Sequence, residues 1–180
     1  MKTKSVLLWA VVLFVIDQVV KVVINRYFID VKFDIIPPLF YFRPTFNYQY
    51  SWVNGLFGLG IGFWAHIIIF GFVAIVVGLA YDYMKTVYGN GKMINIAFVF
   101  SFAAVMSGFI GTILWNGCLD YIELKGFFVF DLKDLYINIF TILFFWNLIY
   151  NFKHRLSFKN KGIISHFKNR FTSLQKKQNY

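Results

Sequence analysis

Two carboxylates mark where this sequence could do chemistry. Asp120 and Asp134 lie in a short stretch, Cys118 to Asp134, that reads C-L-D-Y-I-E-L-K-G-F-F-V-F-D-L-K-D. It joins two long apolar segments: Asp120 follows the first, and Asp134 opens the second. Two acids close together and half desolvated cannot both ionise; one keeps a proton, and the pair shares it. Such a pair can draw a proton from water while donating another to a carbonyl, the chemistry of an aspartic protease. The same spacing also suits a helix cap at Asp134 and a solvated loop acid at Asp120. No group of His, Cys and carboxylate residues has metal-ligand spacing, so neither a metal nor another cofactor is expected. The one cysteine, Cys118, can form no internal disulfide and reads as a small packing residue.

The elements that must hold these acids are apolar. Of 180 residues, 59% are hydrophobic, 22% aromatic and only 14% charged. A soluble domain of this length cannot hide so much apolar surface, so the solvent is lipid. The net charge of +10 gathers at the ends of the apolar runs. That placement suits anionic lipid and argues against a nucleic-acid partner. The expected fold is an all-α membrane protein of four transmembrane helices, at about 5–24, 58–81, 93–115 and 135–152. A small extracytoplasmic β-rich cradle, 30–57, is expected between the first two helices. It holds all three prolines, Pro37, Pro38 and Pro44, and its aromatics Phe40, Phe42, Phe46, Tyr48, Tyr50 and Trp52 recur with period two. Residues 1–152 thus read as one transmembrane unit, and 153–180 as a basic cytoplasmic tail along anionic lipid.

Finer features follow from the same runs. The first run has no small-x-small cleavage site and contains Asp17 and Lys21, so a retained helix is expected rather than a removed signal peptide. Asp17 and Lys21 share a helix face and are expected to pair, with the lysine snorkelling to the interface. His66 is expected to be neutral and bonded to nearby backbone. Ala103, Ala104, Ser107, Gly108 and Gly111 permit close helix contact. The bias of Lys and Arg puts the N-terminus, the 82–92 turn and the tail in the cytoplasm, and the acidic stretch outside.

Four motifs then give a family resemblance. Asp17 to Lys21 reads D-Q-V-V-K, similar to D-Q-x-x-K. Residues 35–40, I-I-P-P-L-F, lead to V-N-G-L-F-G at 53–58. G-F-I-G-T at 108–112 precedes L-D-Y-I at 119–122. F-D-L-K-D at 130–134 is similar to F-N-x-A-D. Together they resemble the lipoprotein signal peptidases (signal peptidase II). The resemblance implies an intramembrane aspartic endopeptidase of the bacterial inner membrane. Its substrate would be a diacylglyceryl-modified prolipoprotein, cut at the outer membrane–water interface. It implies Asp120 and Asp134 as the catalytic dyad, with no metal. It also implies Asp17, Lys21, Asn54, Gly108, Thr112, Asn116 and Asp131 as supporting or substrate-binding residues. Phe127, Phe128 and Phe130 are expected near the scissile bond.

The chain departs from the pattern in several places: the stretch between Asp120 and Asp134 is shorter, the Asn54 element is shifted by one, and the element G-N-x-x-D-R is missing. Gly108 or Thr112 replaces its Asn, Gly111 or Trp115 its Asp, and Thr112 or Asn116 its Arg. Asp131 and Lys133 replace the Asn and Ala of the last motif. These departures motivate an alternative: an impaired or inactive relative that binds lipoproteins or other membrane partners. A transporter or channel subunit is disfavoured, because the spans hold no charge near mid-bilayer.

Overall fold

The computed structural model describes residues 1–89 and 91–154. Helix α1, Thr3–Val23, continues as a π-helical turn, Ile24–Phe28. Strands β1, Phe33–Ile36, and β2, Phe40–Asn47, follow. The short α2, Trp52–Phe57, precedes α3, Phe63–Tyr88, and α4, Lys92–Trp115. Strands β3, Cys118–Leu124, and β4, Phe128–Phe130, lead into α5, Leu132–His154. Of the basic tail expected over 153–180, residues 153–154 form the end of α5, and 155–180 lie outside the described residues.

Four helices are long and apolar enough to cross a membrane: α1 with its π turn, α3, α4 and α5. A lipid solvent offers backbone groups no hydrogen bonds, and a helix satisfies them internally. Helix α4 is the centre of the bundle and packs against α1, α3 and α5. More than half of its apolar window is buried (56%), against 6% for α3. Its small residues explain this. Ala103 and Ala104 pack against Ala10 of α1 and Tyr136 of α5. The Tyr136 hydroxyl donates to the Leu13 carbonyl at 3.1 Å, tying α5 to α1.

Gly108 sets the approach of α3. A Cβ there would stand 2.6 Å from Phe70 Cε1. Gly108→Leu is therefore expected to cost about 1–3 kcal/mol through overpacking, read as a lower unfolding midpoint in detergent. Gly111→Ala is the control. Its Cβ would meet only Gln18 Nε2, at 3.6 Å, and no such loss is expected.

The cradle is wider than the sequence suggested. It is a four-stranded antiparallel sheet in the order β1-β2-β3-β4. Only its first half comes from the segment between the first two spans. The second half is the connection between α4 and α5, expected to be a loop. The overlooked signal is alternation in C-L-D-Y-I-E-L. Leu119 and Tyr121 turn into a core with Ile24, Phe42 and Phe46 at the end of α1, while Asp120, between them, lines a cavity. Gly126, at φ 78°, supplies the left-handed turn residue before β4. In register, Thr45 faces Asp120 and Asn47 faces Cys118. The register shifts between Phe42 and Thr45, at Pro44, which has no N–H to give the ladder.

Two spans depart from their expected limits. Helix α3 runs from Phe63 to Tyr88 rather than from 58 to 81, and α5 starts at Leu132 rather than 135. The earlier start places Asp134 inside the first turn of α5.

Candidate active site

The sheet and the head of α5 bring three acids together. The carboxylates of Asp120, Asp131 and Asp134 lie within 4.8 Å of one another. Strand β3 carries Asp120, which is buried, and Asn47 of β2 donates to its Oδ2 at 3.3 Å. The other two acids form a reciprocal cap. The Asp134 N–H donates to Asp131 Oδ1, and the Asp131 N–H donates to Asp134 Oδ2, both at 3.2 Å. This is a capping box with Asp at both positions, and it fixes the Asp134 carboxylate relative to the helix axis. Negative charge also suits a helix N-terminus.

Two lysines offset part of the cluster's charge. Lys133 places its ammonium 3.0 Å from Asp131 Oδ2 and 3.5 Å from both Asp120 Oδ1 and Asp134 Oδ2. Lys21 lies 2.6 Å from Asp131 Oδ2 and 3.1 Å from Asp17 Oδ2. Lys21 does not snorkel as expected. It is only 2% exposed, because Asp131 gives its ammonium an inward partner that an isolated helix lacks. Burial alone would raise the Asp131 carboxyl, but the Lys133 and Lys21 ammonium groups win and hold it down at about 2. Its two ion pairs therefore persist across the neutral range. Asp120 goes the other way. Burial raises its carboxyl above the ordinary value, and Lys133 only partly offsets this. Burial likewise pushes the Cys118 thiol up to about 11, which leaves it an unreactive packing group.

Three carboxylates this close have the donor set for a cation. The Lys133 ammonium already lies against all three.

Asp120, Lys133 and Asp134 line one wall of a cavity of about 400 Å³. Phe70 of α3, Val53 of α2, Phe128 of β4 and Ile137 of α5 supply apolar walls; Asn47 and Tyr50 add polar ones. Phe128 is thus near the acids as expected. Phe127 sits exposed on the hairpin, and Phe130 packs edge-on against Phe40.

The other expected residues are placed elsewhere. Asn54 is buried and fastens its own loop: its side chain donates to the Gln49 and Ile61 carbonyls and accepts from the Ile61 N–H. Gly108 faces Phe70. Thr112 is buried, and its hydroxyl makes no hydrogen bond among the described residues. Asn116 ends α4 in the left-handed region and accepts from the Tyr50 hydroxyl at 3.3 Å. None of these four lines the cavity with Asp120 and Asp134. His66 Nδ1 bonds the Gly62 carbonyl at 3.1 Å, and Nε2 lies 3.3 Å from Ser51 Oγ. Both ring nitrogens are thus engaged. Asn47 was missed as a site residue, because a polar side chain in an aromatic strand gives no sign of its cross-strand partner.

A family model described as signal peptidase (SPase) II matches residues 9–150, which include every member of the cluster. The chain belongs to the signal peptidase II family. Membership of the signal peptidase II family makes it a membrane protease of lipoprotein signal-peptide processing. Two solved structures of a bacterial membrane enzyme share the signal peptidase II chain's fold. The first matches with a TM-score of 0.65 at 21% identity, over 89% of this chain and 94% of that one. The second has a TM-score of 0.63 at 22% identity, over 81% and 93%. No individual curated protein matches.

Proposed function

We propose that the protein is an intramembrane aspartic endopeptidase. It removes the signal peptide from diacylglyceryl-modified prolipoproteins at the outer membrane–water interface of the inner membrane. The observation that carries this reading is the meeting of Asp120 and Asp134 in one cavity at the head of an apolar helix. The ends of α3 and α4 that carry Lys85 and Lys92, and both chain ends, face the cytoplasm, where anionic lipid is their counterion.

The charges suit a dyad with one proton. Lys21 and Lys133 bring two positive charges against the four carboxyls of Asp17, Asp120, Asp131 and Asp134. One proton shared by Asp120 and Asp134 leaves the cluster at minus one, and cleavage starts from the form in which Asp120 carries it. Water between the two acids attacks the scissile carbonyl carbon. Asp134 takes the water's proton, and Asp120 gives its own to the carbonyl oxygen. When the gem-diol collapses, a diol proton returns to Asp120. Asp134 passes its proton to the amide nitrogen, and the C–N bond breaks. The products are the signal peptide's carboxyl and the free amino group of the lipidated cysteine. The dyad ends as it began. Phe128 and Phe70 on the cavity wall exclude bulk water from the bond.

Lys133 favours a second reading, that of an impaired relative which binds lipoproteins. An ammonium between two carboxylates stabilises the doubly ionised state, which has no proton to donate. Purified protein with a lipidated precursor in bilayer discs separates the two. The peptidase releases signal peptide and lipidated product, seen by mass spectrometry. The impaired relative retains the precursor without turnover.

A further inference from the structure

Lys133 stands in the first turn of α5 with its ammonium buried among three carboxylates. Every charge that faces it is known from the elements around it. Strand β3 brings Asp120 and the Cys118 thiol, the residue before α5 is Asp131, and α5 itself brings Asp134. From α1 comes Lys21, itself held between Asp17 and Asp131. Helix α4 brings nothing charged: its one ionisable side chain, Lys92, is its first residue. Lys133 is thus the one cation among the described residues within ion-pair distance of either dyad acid.

We infer that Lys133 is a positioning residue that fixes the charge on the dyad and so sets the pH window in which the protein cleaves its substrate. The inference rests on the aspartic-peptidase reading. A cation 3.5 Å from each acid favours both carboxylates. It thereby offsets the burial that raises the Asp120 carboxyl. Asp131 aims the ammonium. Its Oδ2 holds Lys133 at 3.0 Å while its Oδ1 caps the helix on which Lys133 stands. The lysine cannot swing to solvent without giving up that partner.

The sign follows directly. Without the ammonium, the dyad keeps its protons to higher pH, and the singly protonated window moves up. Cleavage rates of the full chain are measured against pH with the unmutated protein, Lys133→Met and Lys133→Arg. Both limbs of the profile are expected to move alkaline by about one unit or more in Lys133→Met. Lys133→Arg keeps a cation and is expected to restore the original limbs. Infrared titration of the purified proteins reads the same effect without turnover. The part of the protonated-carboxyl band that vanishes with Asp120→Asn should persist to higher pH in Lys133→Met. If the unmutated protein cleaves while the limbs and this band stay in place in Lys133→Met, the inference is overturned and the peptidase reading stands. If the unmutated protein cleaves at no pH, the peptidase reading falls and takes the inference with it.

Discussion

Replacing either Asp120 or Asp134 by Asn is expected to lower the rate of precursor conversion by at least about 10³-fold. Each variant removes a proton-transfer group that the reaction uses in both of its halves. The double variant should be no worse than the singles, because the two acids act as one unit. Stability separates this from simple misfolding. Asn at 134 can still accept the Asp131 N–H through its carbonyl oxygen, so the cap survives. Asn at 120 can still accept from Asn47. Both should therefore keep unfolding midpoints close to that of the unmutated protein. Asp134→Ala is different: it loses the acceptor of the Asp131 N–H as well as the acid, and is expected to cost a further ~0.5–1.5 kcal/mol. Precursor processing and thermal unfolding of the same preparations give both numbers. Full cleavage by either Asn variant would end the case for the dyad.

The helices were legible because lipid imposes a simple rule on sequence, long runs without charge. Asp120 and Asp134 were legible because acids stand out against such runs. The sheet was only half legible. Period two in F-Y-F-R-P-T-F-N is plain, but in C-L-D-Y-I-E-L the alternation spans only seven residues and is masked by its acids. Strands β3 and β4 matter because β3 carries Asp120 across from β2. Lys21 shows a different gap. Spacing of four correctly paired it with Asp17, but no local pattern can show that a residue far along the chain, Asp131, draws it into the core. The α4 positions Gly108 and Thr112 were chosen by register with a motif. Their places, against Phe70 and in the helix interface, follow from how closely α4 approaches its neighbours. Tertiary charge networks and helix contacts are long-range facts, and single-chain periodicity does not carry them.

Lys21→Met is expected to be the most destabilising single substitution in the described residues. Asp17 and Asp131 are both fully buried, and Lys21 is the ammonium between them. Met fills nearly the same volume, so the loss is one of charge. It leaves Asp17 without a cation, beside the Gln18 side-chain amide at 2.9 Å, and leaves Asp131 with Lys133 and the Asp134 N–H. Breaking a buried pair in this way costs about 3–5 kcal/mol. The pair between Arg43 and Glu123 offers the contrast. It is just as short, at 2.9 Å, but its side chains are 49% and 26% exposed. Solvent screens it, and Arg43→Met should cost only about 0.2–1 kcal/mol. Adding Asp17→Leu to Lys21→Met should recover part of the loss, since removing both charges leaves less to desolvate. Denaturant unfolding in detergent measures all four proteins. The loss should also reach the cavity. Asp131 is shared by Lys21, Lys133 and the cap of α5, so Lys21→Met and Lys133→Met should not be additive. A double-mutant cycle with no coupling between the two lysines would mean that Asp131 does not transmit between them.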